Sequence, residues 1–340
     1  MWGSAPARPP ARPPVRMPGL IGALRPMASL LAPGGWRGRL SILVYHRVLP
    51  SADPLRPYDP EVAAFRSQME LVSTLFQVLP LAEAVRRLRA DRLPPRALCI
   101  TFDDGYADNC EVALPILREL ELPATFFIAV GYLDGGVMFN DRLIEAFRGV
   151  PVGPLDLSAV DLGQRVLLEG DADRLRLIGE VIQAVKHLDD DERNERVEAL
   201  VKGLSGVSVA SPMMGRDQLR ALVGAGMEVG GHTRNHPILS RVSRTRARAE
   251  IGQGREELES ILGCPVRLFA YPNGHPGRDY GPHHVAMVRA CGFEAAVSMV
   301  AGVSGRRTDP YQLARFTPWS RHPAAFAGRL VHNLTRLYVP

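Results

Sequence analysis

The feature that most constrains this chain is the repeated order of short apolar strands and longer amphipathic helices. Residues 40–46 form an almost continuous apolar, β-branched run, the pattern of a strand buried on both faces of a parallel sheet. Residues 97–100, 124–130, 227–229, 269–271 and 295–298 repeat it, and 110–120, 218–224, 244–262 and 285–291 between them read as helices. Strand–helix alternation of this kind predicts an α/β fold with a parallel sheet, here closed into an irregular (β/α) barrel. A length of 340 residues suits one such domain with additions, and 46% hydrophobic content is enough for its core.

The strand at 97–100 runs into Thr101-Phe102-Asp103-Asp104-Gly105. In α/β folds the C-terminal mouth of a strand is where catalytic groups collect, and adjacent acids can divide the labour of metal ligand and proton acceptor. An Asp-Asp-Gly run alone is more often a solvated turn. A second strand end, Gly230-Gly231-His232-Thr233-Arg234-Asn235-His236-Pro237, strengthens the first reading. Histidines four apart share a face on one helical turn, and two imidazoles with a carboxylate make a three-ligand set that leaves room for water and substrate. Isolated, the same pair reads as two loop histidines with structural hydrogen bonds.

With these motifs the chain resembles the polysaccharide deacetylases with a NodB homology domain, carbohydrate esterase family 4. TFDDG is present unchanged at 101–105, the H-[ST]-x-x-H motif is His232 to His236, and Phe269-Ala270-Tyr271-Pro272-Asn273-Gly274 matches the third region. The resemblance covers residues 40–318 with one long interruption, and the Ala-Tyr-Pro version resembles the exopolysaccharide-modifying branch. It implies a (β/α) barrel of the NodB type and a metal-dependent hydrolase removing N-acetyl groups from an acetamido-sugar glycan. Carried over, Asp104, His232 and His236 hold a divalent metal, zinc first among the candidates, and Asp103 is the general base. Tyr271, Pro272 and Asn273 fall to the substrate and oxyanion side, and Thr233 orients the histidine loop through a local side-chain bond.

The chain departs from the pattern in two places. Many members carry an arginine where Ala270 stands, and Arg315 is a candidate to supply positive charge near Asp103 instead. The closing Leu-x-x-His motif has no clean match. His322 is nearest in sequence and reads as a solvated loop residue, so the general acid is unassigned, with Asp103 able to return the proton it accepts. His46, after the first strand in Tyr45-His46-Arg47, reads equally as a rim residue of the site or as a structural histidine.

Around this domain (39–325) we expect a disordered Pro- and Arg-rich segment at 1–38, a helical insertion at 133–211 and a C-terminal tail at 326–340. The insertion carries charged helices at 173–187 and 190–202. It is either a cap, with Met138, Phe139, Asn140 and Asp141 lining the groove, or a decoration of the barrel side. The apolar run at 19–24 is too short for a secretory signal and is stopped by Arg25-Pro26, so a cytoplasmic location, or a peripheral one at the inner membrane, is expected. Four cysteines without paired spacing read as free thiols.

The net charge of +5 and the cluster Arg241, Arg244, Arg246 and Arg248 suit a solvated face or an anionic partner, and no motif supports nucleic-acid binding. The expected partner is an acetylated glycan or a lipid-linked sugar. Two alternatives stand beside the polymer deacetylase: a deacetylase of a small or lipid-linked N-acetyl sugar, and a catalytically silent glycan-binding protein.

Overall fold

The computed structural model describes residues 18–204, 210–317 and 320–340. Its helices are α1 (Pro18–Leu31), α2 (Val62–Leu75), α3 (Leu81–Arg89), α4 (Leu114–Glu119), α5 (Phe139–Gly149), α6 (Asp171–Lys186), α7 (Asp190–Leu204), α8 (Arg216–Gly224), α9 (Arg244–Leu262), α10 (Pro282–Ala290) and α11 (Pro323–Asn333). Its strands are β1 (Ser41–Tyr45), β2 (Gln77–Val78), β3 (Ala97–Phe102), β4 (Thr125–Ile128), β5 (Gly153–Leu155), β6 (Val166–Leu168), β7 (Glu228–Gly231), β8 (Leu268–Ala270), β9 (Ala295–Val297), β10 (Val303–Ser304) and β11 (Leu337–Tyr338).

The main sheet is parallel throughout, in the order β1-β3-β4-β7-β8-β9, with β2 added at the start of β3. β1, β3 and β4 are buried at every position, as their unbroken apolar runs require. The two ends of this curled sheet are joined by residues 313–316. Leu313 bridges Val297 of β9 and Phe316 bridges Leu43 of β1, both in parallel sense. The barrel is irregular because this closing piece is a short bridging segment, and it carries Arg315 between its two contacts.

Because all six strands run the same way, Tyr45, Phe102, Gly231 and Ala270 end at one mouth, and the residues that follow them gather there. The insertion builds its own core over part of that mouth. Leu143 and Phe147 of α5, Leu177, Val181 and Val185 of α6, and Val197 and Leu200 of α7 pack together beneath the antiparallel β5–β6 pair. A buried polar network ties the insertion to the acid loop. Asp141 accepts from Arg56 Nη2 at 2.8 Å and from the Tyr106 hydroxyl at 2.9 Å, while Arg47 Nε donates to Asp108 at 2.8 Å.

Both chain ends differ from expectation. Residues 18–31, placed by sequence in a disordered segment, form α1, which buries Leu24 and Ala28 against α2 and α11. That stripe is narrow, one leucine with small alanines, so it leaves little trace among Pro and Arg residues. The expected tail at 326–340 is mostly structured: α11 buries Phe326, Ala327, Leu330 and Val331, and β11 pairs with β10. Residues 1–17 of the expected disordered segment, 205–209 of the insertion and Pro318 lie outside the described residues. Among the described residues no helix is long and apolar enough to cross a membrane.

Candidate active site

The acid loop is held by its backbone. Asp103 N–H donates to the Tyr45 carbonyl at 2.9 Å, and the chain then turns through Asp104 (φ 77°) and Gly105 (φ 95°). The second of these positions suits only glycine well, because of its left-handed angle and because a Cβ there would press on Ile128 at 3.3 Å. The turn sends the two carboxylates in different directions. Asp103 faces inward to Arg315, whose Nη1 and Nη2 donate to its two oxygens at 2.6 and 2.7 Å. Arg315 is itself fixed by Nε donating to the Ser298 carbonyl at 3.0 Å. Burial alone would raise the Asp103 carboxyl, but Arg315 and His232 outweigh it and hold the group below its ordinary value.

Asp104 faces the histidines. Its Oδ1 lies 3.5 Å from His232 Nε2 and 3.4 Å from His236 Nε2, too long for good hydrogen bonds, so this buried oxygen has no partner among the described residues. Burial opposes its charge, yet the three histidines His232, His236 and His46 keep Asp104 well below the usual carboxylate range. The two histidines do not share a helical turn as their spacing suggested. They sit in an irregular loop with Thr233 (φ 63°) and His236 (φ 56°) in the left-handed region. Thr233 Oγ1 accepts the His236 N–H at 3.0 Å, the local bond expected of it.

His232 Nδ1 lies 2.7 Å from the Ala270 carbonyl and must donate to it, which leaves Nε2 as the lone-pair nitrogen facing Asp104. Burial would lower the His232 imidazolium, but Asp103 and Asp104 raise it. Burial, helped by His232 and His46, brings His236 down to about 4. Asp104, His232 and His236 each offer one ligand atom, all within 4.8 Å of one another. Two ligands of a tetrahedral zinc at its usual bond lengths lie about 3.4 Å apart. The orphaned Asp104 oxygen and these separations fit a small divalent ion.

Sequence reasoning missed the support for this loop. Glu250 of α9, 6% exposed, accepts Arg234 N–H at 3.1 Å and Asn235 N–H at 2.7 Å through Oε2, and the Asn235 amide at 2.9 Å through Oε1. Gly254, one turn on, lets α9 approach so closely that a Cβ would stand 2.8 Å from the Thr233 carbonyl carbon. Glu250 sits in a helix rich in Arg and Glu, so nothing in the sequence distinguishes it from a solvated acid.

Asp103, Asp104, His232 and His236 open into one cavity of about 350 Å³, together with His46, Asn273 and Met299. The insertion supplies Met138, Phe139 and Asn140 to its wall, whereas Asp141 turns away into the buried network. Of the third motif only Asn273 reaches the cavity. The Tyr271 N–H is taken by the Val297 carbonyl, its ring is fully buried against Tyr280, and Pro272, also buried, has no N–H to give. His322 is exposed at the start of α11 and is not part of the cavity.

Comparison with known proteins adds the following. The family model described as polysaccharide deacetylase matches residues 90–150 and 183–296, passing over 151–182 within the insertion. A curated relative from Bacillus subtilis (strain 168), "Putative polysaccharide deacetylase YxkH", is 37% identical over 92 residues. That match takes in 26% of this chain and only 32% of the relative's length. Among solved structures, the Streptococcus pyogenes deacetylase PplD in complex with acetate superposes with a TM-score of 0.57 at 16% identity, over 87% of this chain and 98% of its own. IcaB from Ammonifex degensii does so with 0.56 at 20%, over 89% and 98%. At these identities the two structures establish the fold.

Proposed function

Because this chain belongs to the polysaccharide deacetylase family, we propose that it is a metal-dependent hydrolase that removes the acetyl group from an acetamido sugar in a glycan. The observation that carries this reading is Asp103, held ionised and bidentate by Arg315 beside the Asp104, His232 and His236 cluster. A buried, charged carboxylate beside an unpartnered one favours the enzyme over a catalytically silent protein that kept the fold.

Asp104, His232 and His236 would hold the ion, zinc by the preference of two imidazoles and a carboxylate. Bound there, it supplies a Lewis acid that makes water ionisable near neutrality and polarises an acyl oxygen. The remaining work falls to the side chains. Asp103 takes the proton as water adds to the acyl carbon, and Arg315 fixes the direction in which its oxygens point. Asn273, with φ 57° and lining the cavity, is the third-motif residue suited to orient the acyl oxygen. Asp103 returns the proton it took to the nitrogen as the carbon–nitrogen bond breaks, and His46, lining the same cavity outside the metal set, is the other candidate for that step. Acetate and a sugar amine result.

The test is acetate release from N-acetylglucosamine oligomers by zinc-loaded protein beside Asp103→Asn. We expect turnover that the substitution lowers by about 10²–10⁴. Glycan binding without acetate release in either protein removes the enzyme reading, and equal rates in both remove Asp103 as base.

A further inference from the structure

Besides Asp103, Asp104, His232 and His236, the lining of the cavity includes three cationic side chains. Lys186 near the end of α6, Arg193 in α7 and Arg278 in the loop after β8 line it, and its acidic lining residues are Asp103 and Asp104 themselves. Two of these cations are already fixed from behind. Arg278 donates to the fully buried Asp279 at 2.9 and 3.1 Å, and Arg193 pairs with Asp190 at 2.9 Å while stacking on Phe139 at 4.7 Å. Arg193 Nε, in a side chain only 5% exposed, is nevertheless buried without a partner among the described residues.

Lys186 is half-buried and has no carboxylate within ion-pairing distance among the described residues. Burial holds its ammonium below the ordinary value, with Asp279 opposing and Arg278 pushing the same way. A cavity meant for a neutral sugar gains nothing from desolvating a lysine beside two arginines. An incoming anion would supply the missing counter-charge.

We propose that the substrate carries an anionic group, a phosphate or a carboxylate, near the acetamido sugar, and that Lys186, Arg193 and Arg278 receive it. Two of the three come from the insertion, which therefore recognises substrate as well as covering the mouth. This inference rests on the deacetylase reading above, and names the class of glycan that reading leaves open.

Acetate release by zinc-loaded protein tests it on three substrates: a neutral N-acetylglucosamine oligomer, the same sugar joined through a diphosphate to a short prenyl chain, and an oligomer alternating the sugar with a uronate. We expect kcat/KM at least about tenfold higher on one of the anionic substrates, which identifies the source of the charge. Lys186→Met and Arg278→Met should then cost that substrate about tenfold more than they cost the neutral one. Equal rates on all three, or equal losses on all three, overturn the proposal. Calorimetric binding decides it independently of turnover. N-acetylglucosamine 1-phosphate should bind more tightly than N-acetylglucosamine, with the difference lost in Lys186→Met. If the phosphate form shows that advantage and no substrate is turned over, the deacetylase reading fails and the anion site stands. Equal binding of the two sugars, with no tighter binding of a uronate-bearing disaccharide of the same sugar, overturns the anion site.

Discussion

Arg315 grips both carboxylate oxygens of Asp103 from the segment that closes the barrel between β9 and β1, 212 residues away in sequence. The guanidinium thus reaches Asp103 from a different strand position than the third motif. Ala270, which stands where that motif often has arginine, contributes its carbonyl instead, fixing the tautomer of His232. One pair of contacts therefore keeps Asp103 charged, and the other directs Nδ1–H of His232 at Ala270 so that Nε2 faces the cluster.

Arg315→Met should lower kcat by about 10²-fold or more, as expected when a general base loses its orientation. It should also move the acid limb of the pH–rate profile upward. Asp103 is held below its ordinary value by Arg315, so it stays ionised to lower pH in the parent protein, and without the arginine burial pushes the carboxyl up. Arg315→Lys restores charge but not the two-pronged geometry, and should recover only part of the rate. A limb that does not move in Arg315→Met would show that Asp103 is not the titrating base.

Removal of bound metal should abolish acetate release, and zinc should restore it. Asp104→Ala should bind zinc at least about tenfold more weakly in a direct titration, since it deletes one of the three proposed protein ligands. Zinc should also raise the unfolding free energy of the parent, by about 2.7 kcal/mol at a hundredfold excess over Kd, and by much less in Asp104→Ala. Activity that survives thorough chelation would contradict the assignment.

Gly254→Ala tests how far the packing of α9 supports the histidine loop. The added Cβ meets backbone at 2.8 Å, so α9 or the loop must shift. Overpacking of this kind costs about 1–3 kcal/mol, and a displaced supporting shell costs metal affinity about 10–100-fold. Glu250→Gln should act on the same loop through Arg234 and Asn235, because one oxygen must continue to accept two backbone N–H groups without charge. Zinc affinity measured alongside urea unfolding tests both, and a variant destabilised with unchanged affinity would confine Gly254 to packing.

Most of the barrel was legible because strands such as β1, β3 and β4 are short, apolar and punctuated by turn residues, and because Asp103, Asp104, His232 and His236 follow strand ends directly. What could not be read was whatever depends on a tertiary contact. The loop around His232 and His236 is not helical, because Thr233 and His236 take left-handed angles that a four-residue spacing does not announce. Tyr271 looked like a substrate residue by motif, yet the register of β8 beside β9 gives its N–H to Val297. Glu250 resembles an ordinary surface charge until the fold buries it, whereas Arg315, a candidate partner of Asp103 in the sequence, does bind that carboxylate. α1 was hidden because Ala28 can fill a tight contact without carrying a hydrophobic signal.

The packing of α10 predicts a pH dependence of stability that is separate from catalysis. His284, 1% exposed, accepts the Gly281 N–H on Nδ1 at 3.0 Å, an acceptor role open only to the neutral ring. Burial, with His283 and Arg244 pushing the same way, lowers its value to about 4. The unfolded chain, with an ordinary histidine near 6.5, takes up this proton first. Stability from this group is therefore complete above pH 6.5, falls as pH drops from 6.5 to about 4, and is constant below that. The loss should be at most about 3 kcal/mol, the linkage value of a shift of this size. His284→Gln keeps an acceptor for Gly281 but cannot titrate. Urea unfolding at pH 7, 5.5 and 4 should show the parent losing more stability than the variant across that range, and parallel curves for the two proteins would mean that His284 is protonated as easily when folded as when unfolded.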